Sequence, residues 1–294
     1  MSNTVARSPW DRENDISLLE IYDLDTRTSR LVRRFDHLIE APNWTTDGRA
    51  LIYNSRGRIW RLELADGSVT AIESGYVNAC NNDHVLSPDG SEIAVSHATA
   101  EDGKSRIYIL PLVGGLPRLI TPLGPSYLHG WSPDGQTLAY CAERGGEYDI
   151  YTIPAEGGVE TQLTDVPGLN DGPEYSPDGR HIWFNSVRSG SMQVWRMNAD
   201  GREPVQMTHD PACHAWFPHI SPDGRRVVFI AYRVGDLEPH EHLPHLDVKL
   251  RLMPAAGGEA EDLLELFGGQ GTINVNSWAP DSRRFAYVRY ELPG

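Results

Sequence analysis

The chain has 294 residues, of which 39% are hydrophobic, a length that suits one closed repeat domain with sizeable cores. Its formal net charge of -15 disfavours a nucleic-acid partner, because such partners are bound by a basic surface. No apolar run approaches the ~20 residues that a membrane-spanning helix needs, so we expect no membrane partner. Three scattered cysteines and a start without an apolar signal stretch together predict a cytoplasmic protein.

A short motif recurs along almost the whole chain. Residues 1–13 come before it and are predicted to be a flexible tail, followed by a single domain over residues 14–294. The motif is an aromatic or aliphatic residue followed by Ser-Pro-Asp-Gly, or a close variant. Its six copies begin at Trp44, Leu86, Trp131, Tyr175, Ile220 and Trp278, with separations of 42, 45, 44, 45 and 58 residues. A repeat of this length is typical of a β-propeller.

The motif itself predicts a tight turn between two strands. In Ser132-Pro133-Asp134-Gly135, Ser caps the turn, Pro pre-sets the backbone and Gly accepts a positive φ. Such a turn makes a short hairpin with a bulge. Further strands follow in each repeat, so that four short antiparallel strands make one blade.

The two chain ends carry complementary half-repeats. Residues 16–22 and 29–33 match the third and fourth strands of a blade, whereas 273–278 and 285–290 match the first and second. We therefore predict an all-β, six-bladed propeller of four-stranded antiparallel blades, in which the N- and C-terminal strands close the last blade. The blades are predicted at about residues 37–79, 80–123, 124–166, 167–209 and 210–268, with a composite blade from 269–294 and 14–36.

Blade five is longer than the others. It contains an insertion over 234–247, and six of the eleven histidines lie between His209, directly before this blade, and His245 in the insertion. Long insertions in regular repeats are often functional. The spacing His240-Glu241-His242-Leu243-Pro244-His245 matches no standard zinc pattern. As histidine is the commonest metal ligand, a divalent metal ion is still the one cofactor that the sequence suggests. Its candidate ligands are His129, His219, His240, His242 and His245.

Polar residues are concentrated just before each motif. In an up-and-down blade these segments share a face with the insertion, so they are predicted to surround one mouth of the central channel. The predicted ligand-binding residues are Asp83, His84, His129, Asp171, Glu174, Trp216, His219 and Asn276. Convergent polar groups are typical of a pocket. The alternative is that these side chains hydrogen-bond between neighbouring blades. No catalytic residue is indicated, because the chain lacks a Gly-x-Ser-x-Gly elbow.

The repeated motif, with pairs such as Ile150-Tyr151 and Gly157-Gly158 downstream, closely resembles the TolB-type β-propellers, which are related to the WD-repeat class. The resemblance covers about residues 14–290. It implies a binding or interaction module, and we expect a protein segment or a small polar ligand at the mouth. The alternative is a metal-dependent enzyme of the carbohydrate lyase or hydrolase type. Propeller lyases of oligogalacturonate hold a metal with His and Gln near the axis, and this chain has the histidines, with Gln270 in the Gly-rich segment that leads into the composite blade.

Overall fold

Six antiparallel β-sheets follow one another in a computed structural model that describes residues 15–291. They form the predicted six-bladed β-propeller, and the innermost strands of neighbouring blades lie in contact. The predicted tail, residues 1–13, lies outside the described residues. Within the described range, no segment forms a helix long and apolar enough to cross a membrane.

Blades one to five each contain four strands that pair in chain order. Numbered along the chain, β1 (Ile16–Asp23) and β2 (Thr28–Phe35) come first, and blade one follows with β3 (Glu40–Trp44), β4 (Ala50–Ser55), β5 (Arg58–Glu63) and β6 (Val69–Ala71). Blade two contains β7 (Cys80–Leu86), β8 (Glu92–Ala98), β9 (Ser105–Pro111) and β10 (Arg118–Leu119). Blade three contains β11 (Ser126–Trp131), β12 (Thr137–Arg144), β13 (Glu147–Pro154) and β14 (Thr161–Gln162).

The remaining strands complete the ring. Blade four contains β15 (Asn170–Tyr175), β16 (His181–Ser186), β17 (Gln193–Asn198) and β18 (Val205–Gln206). Blade five contains β19 (Cys213–Ile220), β20 (Arg226–Arg233), β21 (Pro244–Pro254) and β22 (Glu261–Gly269), and the last strand is β23 (Arg284–Glu291). Only residues 234–243 of the predicted insertion connect two strands. The remainder lengthens β21 to 11 residues.

The repeated motif forms the turns that the sequence predicts. In blade three, the Gly135 N–H donates to the Ser132 carbonyl at 2.9 Å, and the Ser132 hydroxyl donates to the Asp134 carboxylate at 2.6 Å. The Gly135 φ is +73°, in the left-handed region that favours glycine. The same glycine in blades two, four and five has φ of +71°. The turn prediction is confirmed.

Both chain ends build the sixth blade, as the half-repeats predict. β1 pairs with β2 on one side and with β23 on the other, antiparallel in both cases. The predicted strand at 273–278 is irregular, however: it pairs with β23 through one isolated bridge, Trp278 to Phe285, and a few further backbone hydrogen bonds. The reason is that this segment turns side chains toward other blades, as when the Asn276 amide donates to Glu174 Oε1 at 2.6 Å.

The hydrophobic core lies between adjacent blades. Between blades two and three, for example, Ile107 and Ile109 of β9 pack with Leu138 and Tyr140 of β12 in one buried cluster. Burial of large side chains contributes about 1.5–3 kcal/mol each, so the contacts between blades stabilise the ring. The side chains that face the central channel come instead from the first strands of the blades.

Candidate functional site

The first strand of each of blades one to five is interrupted by a β-bulge. The pairing of first and second strands shifts register inside all five of these strands. Three of the bulges contain a residue of positive φ directly before a proline: Ala41 (55°), Gly172 (62°) and Phe217 (51°). A bulge adds an unpaired residue and re-aims its neighbours. These strands therefore present side chains to the channel that a regular ladder would direct elsewhere.

A cavity of ≈ 380 Å³ opens where the bulged strands meet the connection between β20 and β21. Its main polar lining residues are Asn81, Asp83, His129, Asp171, His240, His242, Gln270 and Asn274. The other lining residues are Tyr127, Cys141, Tyr148, Leu169 and Phe217. The volume is in the range of small-molecule sites, and convergent polar groups beside apolar walls are typical of them.

His129 joins two carboxylates at the centre of this lining. Its Nε2 lies 3.3 Å from Asp171 Oδ1 and 3.9 Å from Asp83 Oδ1, and all three side chains are buried. Burial alone would lower the pKa of His129, but the two carboxylates outweigh it and raise that pKa. Burial raises the pKa of Asp83, whereas His129 overcomes the effect of burial at Asp171 and lowers the pKa there. The surroundings therefore favour the charged forms of His129 and Asp171, whereas burial opposes the charge on Asp83.

His242 brings the blade-five connection onto the same group. Its Nε2 lies 3.9 Å from Asp171 Oδ2, and its ring packs edge-on against Trp216 with centroids 4.6 Å apart. Burial lowers the pKa of His242, and the charge of Asp171 offsets this only in part. His240, in contrast, is exposed at the rim. The connection thus forms one wall of the cavity, as the position of the insertion predicts.

The structure brings some of the predicted residues to the cavity and places others between blades. Of the predicted ligand-binding residues, Asp83, His129 and Asp171 line the cavity, and His84, Glu174, Trp216, His219 and Asn276 do not. Glu174 accepts hydrogen bonds from His219 Nδ1 at 2.7 Å and from the Ile220 N–H at 2.9 Å, which ties blade four to blade five. For this subset, the interpretation as contacts between blades agrees with the geometry.

The five candidate metal ligands divide in a similar way. His129, His240 and His242 line the cavity. The ring of His219 is held by Glu174 and by the Ile273 carbonyl, and His245 Nε2 lies 3.2 Å from Asp15 Oδ1 away from the cavity. Over residues 15–291, no group of three or more His, Cys, Asp or Glu side chains has an arrangement that could hold a metal ion.

Sequence reasoning missed several lining residues, among them Asn81, Tyr148, Leu169 and Phe217. Phe217 is the most informative of them. It precedes Pro218 just as Gly172 precedes Pro173, and this shared position is the one signal in the sequence that marks the bulge. A search for polar residues alone passes over it.

Comparisons with known proteins agree with this architecture. The family model of the TolB beta propeller domain matches residues 124–253. An uncharacterised protein of Agrobacterium fabrum is 50% identical over 275 residues, which are 93% of this chain and 92% of that protein. A solved structure from Agrobacterium tumefaciens, assigned provisionally to TolB, has 49% identity and a TM-score of 0.90, with 95% of this chain and 99% of that chain covered.

A Tol-Pal system protein TolB of Francisella tularensis is 29% identical over 149 residues. The match covers 49% of this chain and 34% of that protein, so it concerns only part of each. The match to the TolB beta propeller model and the likeness to the Agrobacterium tumefaciens structure over 95% of this chain, together with the six blades, identify the family. This chain belongs to the TolB-like β-propeller family.

Proposed function

We propose that this chain is a binding module whose ligand, a small polar molecule or a protein segment, enters the cavity beside His129. Membership of the TolB-like family supports a binding or interaction module at a coarse level. The observation that carries the finer proposal is the convergence of Asp83, His129 and Asp171 from three different blades on one cavity. Burying ionisable groups is costly, so such a cluster is unusual unless it serves recognition.

The dimensions of the site favour a ligand that is inserted and not merely laid across the surface. A cavity of ≈ 380 Å³ suits a small molecule or one to two residues at the end or turn of a peptide. The polar groups lie on the first strands of blades two to four, which are rigid elements of the fold. Recognition by such a preformed site costs little ordering of the protein.

A blocking substitution tests the proposal. Leu169 lines the cavity, and Leu169→Trp is expected to fill part of it. The matched control is Leu119→Trp, which places the same side chain on the outer strand of blade two, where Leu119 is 45% exposed. We expect small polar compounds and displayed peptides that raise the melting temperature of the wild type to lose this effect in Leu169→Trp only. If every binder tolerates Leu169→Trp, the cavity is not the site.

Metal binding is the second candidate: His129 and His242 both approach Asp171, and a metal ion would have to draw these three side chains together, since no preformed metal-binding group exists among the described residues. Zinc, manganese or nickel would then raise the melting temperature of the wild type and not that of His129→Ala or His242→Ala. His219→Ala is the matched control, because this histidine lies outside the cavity. Equal shifts in all four proteins would rule out a metal-dependent enzyme at this site.

We also propose that the protein works in the cytosol. All three cysteines, Cys80, Cys141 and Cys213, are free thiols, which supports a reducing compartment. Fractionation of cells that express the full chain tests this location, and recovery from the periplasm or the medium would contradict it.

A further inference from the structure

The buried charges beside the cavity balance only while one of the two carboxylates near His129 is protonated. Two carboxylates, Asp83 and Asp171, lie within 4 Å of the same imidazole nitrogen, and a fully protonated His129 supplies only one positive charge. None of the described residues that line the cavity is Lys or Arg. His242 is the next nearest imidazole, and burial disfavours its charged form. With both carboxylates ionised, the site lacks one positive charge.

One buried hydrogen-bond acceptor beside the cavity also has no partner among the described residues. The Asn274 amide donates to Asp83 Oδ1 at 2.7 Å, and its own Oδ1 has no partner among the described residues. Asn274 is 1% exposed and is one of the residues that line the cavity, so we expect a partner for this oxygen to approach from the cavity side. The group that satisfies it must be a hydrogen-bond donor.

Part of the cavity wall is apolar and aromatic. Tyr127 and Tyr148 lie together, with ring centroids 6.5 Å apart, and Leu169 and Phe217 line other parts. Aromatic faces attract cations, and apolar walls bury the carbon skeleton of a ligand. A volume of ≈ 380 Å³ is also far larger than a bare metal ion requires.

We propose that the cavity takes an organic monocation: a primary ammonium group attached to an apolar or aromatic body. The ammonium group supplies the missing charge between Asp83 and Asp171 and donates to Asn274 Oδ1, while its body lies against the tyrosine pair. The inference rests on the proposed binding function and adds the class of ligand. A protein partner would then present a lysine side chain or an amino terminus.

Three small probes that share one phenylethyl body and differ in the charge of their end group separate charge from shape. They are phenethylamine, its neutral counterpart 2-phenylethanol, and the anion 3-phenylpropionate, each titrated into the full chain by calorimetry. We expect the amine to bind at least about tenfold more tightly than the alcohol, because a buried carboxylate is left unpaired by the alcohol. The carboxylate should show no binding.

Variants locate the effect. Asp83→Asn and Asp171→Asn keep the shape and should each weaken the amine at least about tenfold. Asp36→Asn removes the same charge from a side chain that is 92% exposed, and should leave the affinity unchanged. Melting curves confirm that each variant is folded.

The outcomes are distinct from those of the blocking test. Equal binding of amine and alcohol, unchanged affinity in both cavity variants, or no saturable amine binding up to about 10 mM overturns the inference. A ligand that is lost in Leu169→Trp but is neutral or anionic leaves the binding function standing and refutes the monocation. If every binder tolerates Leu169→Trp, both the binding function of the cavity and the proposed class of ligand are refuted.

Discussion

His84 makes the fold sensitive to acid. It lies on β7, is 0% exposed, and neither ring nitrogen has a well-aligned hydrogen-bond partner within residues 15–291. Burial lowers its pKa to about 4, because the charged imidazole would lose its hydration. In the unfolded chain the pKa of histidine is about 6.5.

The sign of the effect follows from proton uptake. Below about pH 6.5 the unfolded chain binds a proton at His84, and the folded chain does not until the pH approaches 4. Stability is therefore full above pH 6.5 and is lost progressively as the pH falls to about 4. At about 1.4 kcal/mol per pH unit, this window gives a loss of about 3 kcal/mol from His84 alone.

The substitution His84→Leu isolates this contribution. The free energy of unfolding is measured with urea for both proteins between pH 8 and pH 4, about four units, a range wider than the expected window. All other titratable groups are common to the two proteins. The difference between the two curves of unfolding free energy against pH therefore reports on His84. We expect the wild type to lose about 3 kcal/mol more than His84→Leu over this range. Parallel curves would show that His84 is protonated or solvated in the folded state, and would contradict the proposed contribution of its burial to acid sensitivity.

Three further predictions concern the scaffold. Glu174→Ala should lower the free energy of urea unfolding by about 3 kcal/mol, because the substitution leaves several buried donors unpaired. Ligand binding in the cavity should not change. Loss of binding would show that Glu174 belongs to the site. Gly135→Ala should lower the free energy of unfolding by about 1 kcal/mol, because Gly135 has a positive φ. Gly57→Ala should lower it further, because the added Cβ would lie 2.5 Å from a backbone oxygen. Equal melting temperatures of the two variants would contradict this. Deleting residues 1–35 removes β1 and β2 and should cause association in gel filtration, whereas a stable monomer would refute closure by both ends.

The fold was predictable because its signal is local and repeated. The residues of each Ser-Pro-Asp-Gly turn determine its backbone conformation locally. The six copies of the motif were therefore enough to count the blades and to recognise that the two chain ends share the sixth blade. The irregular strand before β23 was not predictable in the same way. Its conformation depends on Asn274 and Asn276, whose side chains bond to blades two and four across the channel. Such long-range partners leave no periodic trace.

The sequence predicts which face of the propeller carries the candidate site, but not which side chains line the cavity. Polar residues before each motif do converge, and Asp83, His129 and Asp171 were selected for that reason. Strict alternation along a strand cannot separate them from His219, since the choice depends on the bulge in each first strand. One extra residue reverses which side chains face the channel.

Phe217 shows why that choice carries functional information. A bulky residue with φ of 51° is strained by roughly 1–2 kcal/mol, and glycine occupies the equivalent position in blade four. The strain is held by the Phe217 N–H, which donates to Asn185 Oδ1 at 3.1 Å, and by the ring, which stacks on His129 with centroids 5.8 Å apart. A glycine would relieve the backbone and open the wall beside the charged group. A strained aromatic residue at this position supports the proposal that the shape of the cavity, as well as its charge, contributes to ligand binding.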